Sequence, residues 1–393
     1  MTATVDSVEV LSAQLPFRFS FGHALAARRS STNVYVKVTL SDGSTGFGEG
    51  VPREYVTGES TDTAQAVLCD AYAPALLGRA VEDAESVAGL LDATAAAGGA
   101  VRGAAWCAVE LAVLDAVGHK LDTTVRRWLG PVRRPVLEYD AVVPFTRRPV
   151  LGSIAVAIRL LGIRRVKLKV GRDLDEDVRS LRLMRRLLGG DADIRVDANC
   201  AWGVEEALQA IERMRPYAIS LVEQPVAAGD LEGLRRLTAE CEEDIAVDES
   251  LRTEDEARAL IGMRACDAFN IRVSKCGGLL SSMRIATLAA DAGLTCIVGA
   301  QVGESGILSA ASRHLAACVA PRYLEGSAGR LLLKEDLVDE RIAPGRGGRA
   351  RVLDGPGLGV HVCEDRLRSH ALSSHVVDGH TAPASAALTG SQR

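Results

Sequence analysis

Six residues carry most of the chemistry open to this chain: Lys167, Lys169, Asp197, Glu223, Asp248 and Lys275. Lysine is scarce here. Among 46 basic residues only six are Lys (Lys37, Lys120, Lys167, Lys169, Lys275 and Lys334), and the rest are Arg. An ammonium can lose its proton near neutral pH when its surroundings lower its pKa, whereas a guanidinium effectively cannot. A lysine kept in an arginine-rich background is therefore a candidate for proton transfer. Steps of 28, 26, 25 and 27 residues lead from Lys169 to Asp197, Glu223, Asp248 and Lys275, each about one strand-plus-helix unit of a parallel barrel. Each of the five closes a short apolar, β-branched run, so all five should share one rim. Three carboxylates converging from adjacent strands repel one another unless a cation lies between them. Oxygen-only ligands without Cys or His select a hard divalent ion, Mg²⁺ or Mn²⁺. A carboxylate at a strand end can also cap the next helix, but three in register, flanked by two of six lysines, exceed what capping requires.

The elements that would position these groups can be read from periodicity. From Val136 onward, short β-branched runs alternate with amphipathic stretches. The expected strands are Val136–Val143, Arg165–Val170, Asp193–Asp197, Ile219–Glu223, Ile245–Asp248, Ala268–Val273, Thr295–Val298 and Arg322–Glu325. Eight strands alternating with helices predict a closed parallel barrel. The open doubly wound sheet is disfavoured because no Gly-rich phosphate turn follows the first strand. In Val166-Lys167-Leu168-Lys169-Val170 the side chains alternate. The outer face of a barrel must be apolar against its helices, which sends both lysines inward.

The first third reads differently. Val5–Leu15, Asn33–Leu40 and Gly46–Glu49 form an expected antiparallel meander, followed by helices near Asp62–Leu77, Glu82–Ala93 and Val101–Lys120. The fold class is thus α/β: an α+β unit over residues 1–134, a barrel over 135–330 and a Gly-rich return segment over 331–366 that should pack on the first unit. Residues 367–393 have no period and read as a flexible tail.

Composition narrows the function classes. Net charge is −5, and no basic tract tracks phosphates, so nucleic acid is not an expected partner. Apolar runs are broken before the ~18–20 residues that a membrane span needs. Residues 1–10 lack the apolar core of a signal peptide. Nine scattered Cys without a C-x-x-C pair argue against a zinc ribbon or a disulfide framework. A cytoplasmic enzyme is expected.

Five motifs, Lys-x-Lys at 167–169, Asp-Ala-Asn at 197–199, Glu-Gln-Pro at 223–225, Asp-Glu-Ser at 248–250 and Ser-Lys-Cys-Gly-Gly at 274–278, resemble the enolase superfamily, in its muconate-lactonizing-enzyme-like subgroup. The resemblance runs to about Arg366. It implies a capping domain over a (β/α)₇β barrel, with Asp197, Glu223 and Asp248 as Mg²⁺ ligands. It further implies Lys169 and Lys275 as an acid/base pair that removes a proton next to a carboxylate through an enediolate. Lys167 then holds the substrate carboxylate, and Asn199 and Glu249 orient the ligands. Members are commonly homo-oligomers.

The subgroup includes racemases and epimerases of amino-acid derivatives, cycloisomerases and dehydratases. Two lysines favour racemisation or epimerisation of an amino-acid derivative or dipeptide, with the cycloisomerase or dehydratase as the alternative. A Schiff-base aldolase would not need three carboxylates, and a non-catalytic binding protein would not keep both lysines. The capping loops resemble those of dipeptide epimerases. They offer Phe19, Phe21, Arg28, Arg29 and Tyr55 as substrate contacts, and Glu304 and Glu325 join them from the last barrel loops. Dipeptide epimerases end the eighth strand with Asp-x-Asp to hold the substrate ammonium. Here Tyr323-Leu324-Glu325 leaves only Glu325, which favours an N-substituted amino acid or a substrate with no amine.

Overall fold

The structure, a computed structural model, describes residues 2–22, 27–99, 103–327 and 329–378. Its first sheet has the order β15-β1-β2-β3, with β4 also pairing β1. The strands are β1 (Ala3–Gly22), β2 (Ala27–Leu40), β3 (Thr45–Gly50) and β4 (Ala80–Val81), and β15 is Ala371–Asp378. Helices α1 (Glu54–Thr57), α2 (Thr61–Val67), α3 (Ala73–Leu76), α4 (Ser86–Ala97) and α5 (Ala104–Lys120) follow β3. A π-helical turn at Leu68–Tyr72 joins α2 to α3. Helix α5 is buried along nearly its whole length. It lies directly on β3 because the strand reads Gly46-Phe47-Gly48-Glu49-Gly50. A Cβ at Gly48 would stand 1.9 Å from the Ala108 carbonyl oxygen, so only glycine on this face admits the helix.

The second sheet has eight strands in the order β13-β12-β11-β10-β9-β8-β7-β6, all pairings parallel. These are β6 (Ala141–Val143), β7 (Arg165–Lys169), β8 (Asp193–Asp197), β9 (Ile219–Glu223), β10 (Asp244–Val247), β11 (Ala268–Ile271), β12 (Thr295–Val298) and β13 (Tyr323–Leu324). The ring closes where the Asp140 N–H donates to the Leu324 carbonyl at 2.7 Å. Seven helices alternate with these strands: α6 (Arg148–Leu161), α7 (Leu174–Leu188), α8 (Val204–Met214), α9 (Leu231–Glu240), α10 (Glu254–Met263), α11 (Leu279–Asp291) and α12 (Gly306–Val319). The expected (β/α)₇β barrel is the architecture found.

Two expectations need correction. The run from Val136 to Val143 is two strands: β5 (Val136–Glu138) leaves the barrel and pairs antiparallel with β14 (Arg349–Arg351), and β6 alone enters the ring. The tail expected over 367–393 is ordered at its start. Ala371–Asp378 forms an edge strand on β1, with Ser7 opposite Asp378 and Ser12 opposite Ser373. Its pairing rests on backbone bonds and on polar contacts such as the Ser373 hydroxyl to Ser12 at 2.6 Å, so it has no apolar period to read. Residues 379–393 lie outside the described residues.

Buried carboxylates join the two sheets. Glu49 accepts from the Ser305 N–H at 2.9 Å and from the Leu308 N–H at 3.1 Å, and so caps the N-terminus of α12. Asp115 accepts from Phe47 N–H and from Leu358 N–H, which fixes the return segment against α5. The Val51 N–H donates to the Ser274 hydroxyl at 2.9 Å, one residue before Lys275.

His314, on α12, is fully buried. Its Nε2 lies 2.9 Å from the Leu358 carbonyl and its Nδ1 3.2 Å from Arg126. Burial, with Arg126 and Arg313 adding to it, pushes its pKa down to about 4 from 6.5. A depressed pKa means that the unfolded chain takes up the proton first. The stability from keeping His314 neutral is complete above pH 6.5 and is lost as pH falls toward 4, about 3 kcal/mol in all. Melting temperatures measured between pH 7 and 4 should therefore fall less steeply for His314→Gln than for the parent chain; parallel curves would refute this.

Candidate active site

All six chemical residues reach the C-terminal rim of the barrel. Lys169, Asp197 and Glu223 are the last residues of β7, β8 and β9, and Lys169–Asp197 and Asp197–Glu223 are direct cross-strand neighbours. Asp248 follows β10 immediately. Lys275 sits in the turn after β11, which ends at Ile271 rather than at Val273. Asp197, Glu223 and Asp248 are fully buried, and Lys167 and Lys275 nearly so. Backbone conformation helps to aim them. Asn199 (φ 46°) and Gln224 (φ 39°) are left-handed in the turns after β8 and β9, an uncommon state for non-glycine residues that is favoured at functional sites. From that turn the Gln224 side chain accepts from the Asp248 N–H at 2.9 Å and donates to the Ser250 hydroxyl at 2.8 Å, locking two strand ends together.

Lys169 Nζ lies 2.5 Å from Asp197 Oδ2 and 2.7 Å from Asn199 Oδ1, and Asn199 Nδ2 donates to Glu249 Oε1 at 3.0 Å. Lys275 Nζ donates to Asp248 Oδ1 at 2.8 Å and to the Asp248 and Asn270 carbonyls. Lys167 Nζ contacts Glu223 at 3.0 Å, Asp197 at 3.3 Å and Glu325 at 2.8 Å. The lysines differ sharply in their electrostatics. Burial pulls the Lys275 pKa down to about 8. For Lys167 the same burial is outweighed by Glu223, Glu325 and Asp197, so its pKa is raised. Asp197 is held well below the carboxylate range because Lys169 and Lys167 overcome its burial.

Sequence reasoning missed the residues behind this rim. Arg195 lies inside the barrel with no exposed surface, 2.8 Å from Asp140 and 2.7 Å from Glu325. Arg272 pairs with Asp248 and reaches Gln301. Asn270 donates to Glu223 at 2.8 Å. The signal for Arg195 was its spacing of two from Asp197, which puts both on the inner face.

The proposed substrate contacts separate into groups. Glu325 is buried and bound to Lys167 and Arg195. Glu304 is buried on the loop after β12, where it accepts from the Gln301 N–H and the Ser309 hydroxyl, and burial pushes its pKa up to about 8. Tyr55 and Glu249 line one cavity of about 330 Å³ between the capping loop and the loops after β9 and β10. Phe19 is 52% exposed and Arg29 is exposed. The side chains of Phe21 and Arg28 lie outside the described residues.

Among the described residues no three His, Cys, Asp or Glu side chains form a ready-made ligand group, because lysine and arginine side chains lie between the carboxylates. The donor set nevertheless suits a hard divalent cation. It is all oxygen, buried, on adjacent strand ends, and next to it Glu249 Oε2 is buried without a hydrogen-bond partner.

Residues 2–130 match the family model described as the mandelate racemase / muconate lactonizing enzyme N-terminal domain, and residues 153–366 match the enolase C-terminal domain-like model. The N-succinyl-L-Arg/Lys racemase of Bacillus cereus is 28% identical over 377 residues, 95% of this chain and 99% of that protein. Its crystal structure superposes with a TM-score of 0.88 at 27% identity, over 95% of this chain and all of that one. A muconate cycloisomerase of Acinetobacter lwoffii is 31% identical over 376 residues, 93% of this chain and 96% of that protein. The dipeptide epimerase of Cytophaga hutchinsonii, solved with Mg and D-Ala-L-Val, has a TM-score of 0.87 at 26% identity, over 95% of this chain and 100% of that one. The chain belongs to the enolase superfamily, among the mandelate racemase and muconate lactonizing enzymes.

Proposed function

We propose that this chain removes and returns the proton α to a carboxylate of an N-acylated amino acid, inverting its stereochemistry. The carrying observation is the placement of two lysines across one rim: Lys169 on β7 and Lys275 after β11, with β8, β9 and β10 and their three carboxylates between them. Asp197, Glu223 and Asp248 would hold Mg²⁺, which when bound neutralises the substrate carboxylate and stabilises the enediolate. Lys167, kept cationic by Glu223 and Glu325, binds that carboxylate. Lys169 and Lys275 face the α-carbon from opposite sides, one taking the proton and the other supplying one. A Lys275 pKa of about 8 suits either role near neutral pH. Asn199 orients Lys169 and Glu249 together.

The N-acyl assignment rests on the lack of a free carboxylate for a substrate ammonium at Glu325 or Glu304. Glu325 is committed to Lys167 and Arg195, and burial favours the neutral form of Glu304. The N-succinyl racemase likeness points the same way. The same feature also suits a substrate with no amine, and the likeness to a muconate cycloisomerase makes lactonisation of a muconate the second reading. The test is incubation of the Mg²⁺-loaded protein in D₂O with N-succinyl amino acids, dipeptides and cis,cis-muconate. N-succinyl substrates should incorporate deuterium with kcat/KM at least about tenfold above any dipeptide, a difference of about 1.4 kcal/mol. Preference for dipeptides would overturn the N-acyl assignment, and muconolactone formation would favour the second reading. A cytoplasmic homo-oligomer completes the proposal; a monomer by light scattering at micromolar concentration would contradict the assembly.

A further inference from the structure

A cavity of about 640 Å³ lies at the other end of the barrel, on the floor. One wall is the entry to β7, with Arg164 and Arg165; Lys169 ends the same strand at the catalytic rim. The facing wall is the turn with Arg346 and Gly347, followed by Arg349, the first residue of β14. Leu161, half exposed at the end of α6, supplies an apolar patch. Gly347 adopts φ 70° and Gly162 φ 74°, conformations that favour glycine, and a Cβ on Gly162 would come within 4.0 Å of Gly347.

The charges in this cavity do not cancel. Arg165 is neutralised by Asp140 at 2.8 Å and donates to the carbonyls of Arg322 and Glu138. Arg349 is matched by Glu138 at 3.3 Å. Glu138 is the only acidic side chain in the lining. Arg164 and Arg346 are both exposed, and among the described residues neither side chain has an ion pair or hydrogen bond. On the barrel helices Arg179, Arg213 and Arg236 each have a carboxylate, while Arg182, Arg186 and Arg258 are exposed without one; what sets Arg164 and Arg346 apart is that they line one cavity. Two unmatched guanidiniums, brought into one concavity from chain segments 164 and 346, raise its positive potential, which an anion would neutralise. The carbonyl end of α6 also faces the cavity, but a helix end carries only about half a charge, against two full cations.

We propose that this cavity binds a small molecule bearing an oxyanion of two negative charges, a phosphate monoester or a dicarboxylate. The two free guanidiniums would grip its oxygens through paired N–H donors, and the remaining volume would hold an uncharged body against Leu161. The site is separate from the catalytic rim and independent of the reaction assigned to it.

Calorimetric titration of the full, Mg²⁺-loaded protein at low salt, with glucose 6-phosphate and with succinate, tests this. One of the two should bind saturably at one site per chain, and the tighter one identifies the source of the oxyanion. In the double variant Arg164→Gln/Arg346→Gln that affinity should fall at least tenfold, while the melting temperature and the D₂O exchange rate stay as in the parent. The single charge reversal Arg346→Glu should lower affinity further than Arg346→Gln. Absence of saturable binding by either compound, or equal affinity in parent and double variant, would overturn the proposal.

Discussion

Lys169→Ala and Lys275→Ala are each expected to lose stereochemical inversion entirely, yet each should still exchange the α-proton of one isomer with D₂O. The lysines approach from opposite sides of the rim, so removing one leaves a base on the other face only. The two variants should select opposite isomers. Loss of the base on a given face should slow exchange of the matching isomer by at least about 10³-fold, as expected for general base catalysis. Lys→Arg at either position should be equally inactive, because arginine keeps its proton. Deuterium incorporation followed by mass spectrometry and chiral chromatography separates the outcomes. Both variants choosing the same isomer would refute the two-base mechanism. Isomer preference in only one variant would favour the one-base cycloisomerase.

The carboxylates should be as critical. Asp197→Asn, Glu223→Gln and Asp248→Asn each remove one charge from the three buried carboxylates proposed to hold Mg²⁺, and turnover should fall about 10³-fold or more, the loss of several kcal/mol of charge stabilisation. A second readout does not depend on activity. Mg²⁺ at a hundred times its Kd should stabilise the parent by about 2.7 kcal/mol, visible as a raised melting temperature, and each variant should lose most of that shift. Full activity after metal stripping in excess EDTA would exclude the metal altogether.

The convergence of the lysines and carboxylates on one rim was legible because strand alternation and strand length are strong constraints. Lys167 and Lys169 are inner-face residues by parity, and both are buried. The carboxylates close strands whose bounds the apolar runs mark within a residue or two. Asp140 and Arg195 were not found, although the second obeys the same parity as Asp197. A fully buried arginine contradicts the general expectation for that residue, and its partners come from chain positions 140 and 325, which no local pattern connects. The edge strand Ala371–Asp378 escaped for a different reason. It pairs on one side only, through backbone bonds and Ser373, and only Ala371 and Val377 reach the core, too few for a hydrophobic period. The capping loops were not legible in their structure: Phe19 and Phe21 lie on β1, Arg28 and Arg29 on β2, and Tyr55 on α1, and which of their side chains meet the substrate depends on packing that sequence spacing does not encode.

The barrel interior contains an unbroken column of alternating charge: Arg165, Asp140, Arg195, Glu325, Lys167, Glu223. Each member is the counter-ion of the next, and all but Arg165, which reaches the floor of the barrel, are buried from water. Neutralising a single member leaves its neighbours one counter-ion short in the core, at a cost below the ~3–5 kcal/mol of a wholly unpaired buried charge because a second partner remains, whereas apolar replacement of a matched pair can be nearly neutral. These positions therefore cannot drift independently over evolutionary time. Loss of Glu325 leaves Arg195 with Asp140 and Lys167 with Glu223 and Asp197, so a compensating change at Arg195 or Lys167 restores the charge balance, and one at Lys167 reaches the group proposed to hold the substrate carboxylate. Position 325 is thus coupled by epistasis to the barrel's ion pairs, and single-site libraries at Glu325 should return chains with lower melting temperatures than libraries that vary Arg195 or Lys167 together with it.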